Sequence, residues 1–116
     1  MPINVKRVYD PASRKDGTRF LVDRLWPRGL SKEDAKIKAW FKDASPSTAL
    51  RTWYSHEPAK WPEFQKRFTK ELEANAPAWE PILEAARKGV VTLLFSSREL
   101  ERNNAVALKS FLEHRL

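Results

Sequence analysis

The chain has 116 residues, with 22 Lys plus Arg against 15 Asp plus Glu, a formal net charge of +7, and no cysteine. One domain fits that length, and a chain of this size buries roughly two thirds of its unfolded surface without staples. The composition excludes a disulfide framework, a thiolate metal site and a cysteine nucleophile, and 41% hydrophobic content excludes a disordered basic tail.

Residues 3–8 (INVKRV) alternate weakly and predict a strand. Asp10-Pro11 and the run from Ser13 to Gly17 carry turn chemistry. Phe20-Leu21-Val22, bounded by Gly17 and Pro27, predicts a buried strand with Asp23 and Arg24 late in it. Pro27-Arg28-Gly29 breaks it. Ser31 opens a short helix, with Asp34 placed to answer it in a capping box. Ile37, Ala39 and Phe41 alternate with Lys38, Trp40 and Lys42, which predicts a half-buried strand over 37–41.

Ser45-Pro46 reads as a helix cap followed by proline at the first helical position. Leu50, Trp53 and Tyr54 give that helix an apolar face. Trp61, Phe64, Phe68 and Leu72 recur at helical spacing, so the next helix starts regularly near Trp61. Residues 77–88 predict another, closed by Gly89. VVTLLF at 90–95 is apolar on both faces and is the cleanest strand. Ser96 to Glu99 offers a second capping box, and residues 103–115 form a final amphipathic helix. Four short strands separated mostly by helices predict an α/β class: a single small domain over 1–116, with a short, mostly parallel sheet flanked by helices. No apolar run approaches the ~18 residues of a membrane span. The N-terminal stretch has no charged lead before an apolar segment, so a cytoplasmic location is expected.

The positive charge is uneven. Residues 1–60 hold 13 basic and 7 acidic residues, whereas 61–116 hold 9 and 8. A concentrated field of one sign attracts anions. In parallel sheets ligands bind beyond the carboxyl ends of the strands, and several unusual residues fall there. In VDRLWPRG at 22–29, Arg24 and Arg28 can supply bidentate donors to a phosphate or carboxylate. Trp26 can stack on a planar ring, or plug the core. Asp23 is either a pairing partner or an acid–base group. Gly29 would allow close backbone approach. In KDASPS at 42–47, Lys42 and Ser47 flank a helix start that presents free N–H groups, and Arg51 follows one turn on. Ser47 could equally be a plain cap. His56 is the better placed histidine for acid–base work, and it could equally be structural. Asn103 could bind a ligand or cap the last helix. No Walker loop, G-x-G-x-x-G, H-E-x-x-H or G-x-S-x-G is present. Two histidines without cysteine leave little for zinc, so no metal and no cofactor are expected.

The segments VYD at 8–10, VDRLWPRG at 22–29, KDASPS at 42–47, LRTWYSHEPAKW at 50–61 and VTLLF at 91–95, followed by Asn103, resemble the YeaO-like family of domain of unknown function 488. The resemblance covers essentially the whole chain. It implies a small α/β domain with these motifs gathered at one sheet edge, and no known reaction. On this analogy the site comprises Tyr9, Asp23, Arg24, Trp26, Arg28, Lys42, Ser47, Arg51, Trp53, His56 and Asn103. The YeaO-like pattern tends to set histidines on either side of that asparagine, where this chain has Arg102 and Asn104. Two functions follow as expectations: a pocket for a small anionic ligand, with Asp23 and His56 as acid–base candidates, or a non-catalytic nucleic-acid binder using the basic half and its tryptophans.

Overall fold

A computed structural model describes residues 3–116. Its sheet is built from β1 (Ile3–Arg7), β2 (Thr18–Leu21), β3 (Ala39–Trp40) and β4 (Val91–Phe95), in the order β1-β4-β2-β3. Every pairing is parallel. The last strand therefore lies at the centre, which explains its composition: Val91 to Phe95 is buried throughout, as a strand covered on both faces must be. Ile3 pairs with Val91 and Arg7 with Phe95, so β1 and β4 end level.

Side chains alternate across the sheet with period two. Ile3, Phe20, Val22, Val91, Leu93 and Phe95 enter the larger core, together with residues of α2 (Thr48–Tyr54), α3 (Trp61–Glu73), α4 (Glu80–Lys88) and α5 (Asn104–Glu113). Leu21 and Leu94 point the other way, onto Val8 and onto Ala35 of α1 (Lys32–Ala35), where Trp26 and Trp40 complete a smaller core. The chain steps in one direction from β1 to β3 and returns to insert β4. Crossovers of one hand then place their helices on opposite faces.

Several boundaries differ from the sequence reading. β2 ends at Leu21, so Asp23 and Arg24 lie beyond the strand and not within it. β3 spans two residues, because β2 offers it partners only at Phe20 and Leu21. Ser31 caps α1 as expected, accepting from the Asp34 N–H at 3.1 Å. Ser45 does not cap α2. It closes a 3-10 turn over Lys42–Ala44, donating to the Lys42 carbonyl at 2.6 Å, and Ser47 is the cap, accepting from the Leu50 N–H. α4 begins at Glu80, after a 3-10 turn at Ala76–Ala78. Ser96 to Glu99 forms no helix start; Asn103 caps α5, accepting from the Val106 N–H at 2.9 Å. Gly29 has φ 74° with no atom within 4 Å of a built Cβ, so it serves a left-handed turn and not a close approach.

At the amino ends of the strands, Asp16 is buried, 7% exposed. It accepts from Arg19 at 2.6 Å, Lys6 at 3.1 Å and the Ser13 N–H at 3.0 Å. Burial alone would raise its pKa. The Ser13 N–H, Lys6 and Arg19 outweigh burial and hold it below the ordinary 3.8. A carboxyl with a depressed folded pKa stabilises above its unfolded value and loses that stabilisation as pH falls through the folded one. Stability should therefore drop as pH falls below about 4. Asp16→Asn should cost about 2 kcal/mol at pH 7 and flatten this acid limb. The cost stays moderate because Arg19 keeps the Ala35 and Lys36 carbonyls as partners. Urea unfolding at a series of pH values checks both; an unchanged acid limb in Asp16→Asn would refute the assignment.

Candidate functional site

The carboxyl ends of all four strands open onto one cleft of about 1000 Å³. β1 brings Arg7 and Tyr9. The loop after β2 brings Asp23 to Arg28, and the loop after β3 brings Ser45 and Pro46. The segment from β4 to α5 brings Ser96 to Glu99 and Arg102 to Asn104, while α2 and its end bring Arg51, Tyr54 and His56. Six arginines thus line the cleft against two carboxylates, Asp23 and Glu99.

Asp23 is held by three donors. Its Oδ2 accepts from the Ser96 N–H at 2.9 Å and the Ser96 hydroxyl at 2.6 Å. Its Oδ1 accepts from Asn104 Nδ2 at 3.1 Å, which also donates to the Val22 carbonyl at 3.0 Å. One carboxylate thereby joins the end of β2, the end of β4 and the start of α5. Two arginines brace the walls. Arg7 donates to the Ser96 and Ser97 carbonyls, and Arg24 to the Pro46 and Ser45 carbonyls at 3.1 and 3.2 Å. Tyr9 lies under the Arg7 guanidinium, 4.8 Å from it, and its hydroxyl donates to the Arg28 carbonyl at 2.7 Å. Arg28, Arg51 and Arg98 are exposed and form no ion pair among the described residues.

α2 ends in two left-handed residues, Ser55 at φ 46° and His56 at φ 57°. Such backbone costs a non-glycine residue about 1–2 kcal/mol; here the Ser55 N–H donates to the Arg51 carbonyl and the Glu57 N–H to the Tyr54 carbonyl, each at 3.0 Å. It sets His56 at the cleft, its ring 6.3 Å from that of Tyr54. Across from them, the N–H groups of Glu101 and Arg102 hold the Glu99 carboxyl below its ordinary range, with Arg102 and His56 adding attraction. The Tyr54 hydroxyl is pushed up by burial and by the Glu99 charge.

Of the residues expected at the site, Tyr9, Asp23, Arg24, Trp26, Arg28, Arg51, His56 and Asn103 line the cleft; Lys42, Ser47 and Trp53 do not. Trp26 packs edge-on to Trp40 and donates to the Leu30 carbonyl at 2.6 Å, the plug arrangement. Asn103 is 5% exposed and caps α5. Lys42 sits over the Trp40 ring. The start of α2 already holds a carboxylate: Glu71 accepts from the Ser47 N–H at 2.9 Å and the Ser47 hydroxyl at 2.6 Å. Trp53 is flanked by Lys60 and Arg67, the latter 4.0 Å from its ring. Asp23 and His56 share no hydrogen bond; Asp23 is bonded to Ser96 and Asn104.

The sequence reading missed Arg7, Tyr54, Ser96, Ser97, Arg98 and Glu99. The strand-end rule would have found Arg7 and the Ser-Ser-Arg run after β4. Arg102 and Asn104, the two departures from the YeaO-like pattern, both line the cleft. Among the described residues no group of His, Cys, Asp and Glu could hold a metal ion, and no helix is long and apolar enough to cross a membrane.

No solved structure matches the chain. It is 39% identical to "Uncharacterized protein YeaO" of Escherichia coli over 112 residues, 97% of each chain. It is 38% identical to uncharacterized proteins of Mycobacterium bovis and Mycobacterium tuberculosis over 113 residues, 97% of this chain and 95% of theirs. The whole-length resemblance to YeaO and a family model that matches residues 2–116 agree, and the chain belongs to the DUF488 family, in the group described as the inactive DUF488-N3 subclade.

Proposed function

We propose that the protein binds a small phosphate-bearing or nucleotide-like anion in this cleft and does not turn it over. The observation that carries the reading is the gathering of six arginines around one concavity. Among the described residues only Arg102 of these has an ion pair, and Arg28, Arg51 and Arg98 have neither an ion pair nor a side-chain hydrogen bond. Planar forks of donors match phosphate oxygens. The absence of turnover is supported by the family description and by Asp23. That carboxylate, the obvious acid–base candidate, serves as a three-way strut.

Nucleic-acid binding is the alternative, favoured by the +7 charge. Against it, Trp26 and Trp40 pack on each other and Trp53 is flanked by cations, which leaves poor platforms for stacked bases.

Calorimetry with inorganic phosphate, pyrophosphate and a nucleoside monophosphate tests the reading. Arg28→Ala and Arg51→Ala should each weaken binding about ten-fold, the worth of one charge-assisted hydrogen bond. Both side chains are exposed, so melting temperature should hardly move. No binding of any of the three at millimolar concentration would overturn the proposal. Tight, steeply salt-dependent binding of oligonucleotides alone would favour the alternative.

A further inference from the structure

The two carboxylates in the cleft differ in what they have left to offer. Both oxygens of Asp23 accept from Ser96 or Asn104. In Glu99 one oxygen, Oε2, accepts from the N–H groups of Glu101 at 2.8 Å and Arg102 at 3.2 Å. The other, Oε1, lies 3.9 Å from Arg102 Nη1, beyond hydrogen-bond reach. The Glu99 side chain is 34% exposed. A carboxylate with open acceptor capacity thus lines a concavity that also holds six arginines.

A ligand that carried only negative charge would meet repulsion there and leave Oε1 unmatched. A ligand with a cationic or hydrogen-bond-donating group next to its anionic group would answer both the arginines and Glu99. Resting on the anion-cleft reading above, we infer that the natural ligand is such a mixed species, a phosphate ester with a neighbouring donor, and that Glu99 is the residue that selects it. The two backbone N–H groups keep Glu99 ionised and fix its direction, so the selection is built into the loop.

The test is a cycle between one ligand group and one side chain. Ethyl phosphate and 2-aminoethyl phosphate carry the same phosphate and differ by the ammonium. The wild type should bind the amino ester about five-fold more tightly, the size of a partly exposed ion pair. Glu99→Gln keeps an oxygen for the two N–H groups, so the loop holds, as an unchanged melting temperature would confirm. It should bind ethyl phosphate more tightly than the wild type does. Its preference should invert, because the ammonium then faces the arginines with no carboxylate left but Asp23, whose oxygens Ser96 and Asn104 already occupy. A purely structural Glu99 would shift both ligands alike. An equal ratio in wild type and variant, or no preference in the wild type, would overturn the inference and leave the anion cleft standing. If neither ester nor inorganic phosphate binds the wild type, the cleft reading fails as well.

Discussion

Asp23→Ala should lower the free energy of unfolding by about 3 kcal/mol and abolish anion binding with it. The magnitude follows from what is left behind. The Ser96 N–H, the Ser96 hydroxyl and the Asn104 amide all lose their acceptor, and all three are partly buried. Hydrogen bonds to a charged group are worth about 1.5–3 kcal/mol each at most, and water entering the cleft recovers part of that. Binding is lost because Asp23 ties the loop carrying Arg24 and Arg28 to the segment carrying Arg98 and Arg102. Urea unfolding followed by tryptophan fluorescence reads the first effect, and calorimetry with phosphate the second. Ser96→Ala in the Asp23→Ala background should add little, since the two act as one unit. An Asp23→Ala protein of wild-type stability would show that the strut is dispensable and would restore Asp23 as a chemical group.

The sequence carried the local half of this architecture. VTLLF is apolar on both faces, and only a central strand uses such a pattern. Ser31 and Asn103 stood where caps belong, and both cap. What it could not carry was pairing at a distance. Asp23 looked like a buried charge in want of a partner; its partners are 73 and 81 residues away. Nothing local distinguishes that strut from an acid–base residue. Ser47 looked like a free donor at a helix start, and Glu71 fills that place from 24 residues on. Ser45 failed for a different reason. A serine before proline has the composition of a cap, but the 3-10 turn at Lys42–Ala44 takes it first. The site was legible as a place, the carboxyl edge, more than as a set of roles.

Gly17→Ala should be the most damaging small substitution in the chain, at about 4 kcal/mol. Gly17 ends the 3-10 turn of Arg14–Asp16 with φ 62° and ψ −133°, a region essentially reserved for glycine. A Cβ there would overlap the Val90 carbonyl and press on the Val90 side chain. That carbonyl cannot retreat freely. It accepts from the Thr18 N–H at 2.9 Å, the bond that opens the β2–β4 ladder. Relief would have to move the first pair of the central strand or the Asp16 cluster beside it. Gly29→Ala supplies the control. It has φ 74° but open space around the built Cβ, so it should cost only the left-handed penalty of about 1 kcal/mol. The difference between the two, read by urea unfolding, isolates the steric term from the backbone term. If Gly17→Ala proved no worse than Gly29→Ala, the close approach of Gly17 to Val90 would have no part in fixing the register of the sheet. If Gly17→Ala does not fold at all, Gly17→Ala combined with Val90→Gly, which removes the Val90 Cβ from the overlap, should still be far less stable than Gly29→Ala combined with Val90→Gly, because the Val90 carbonyl remains.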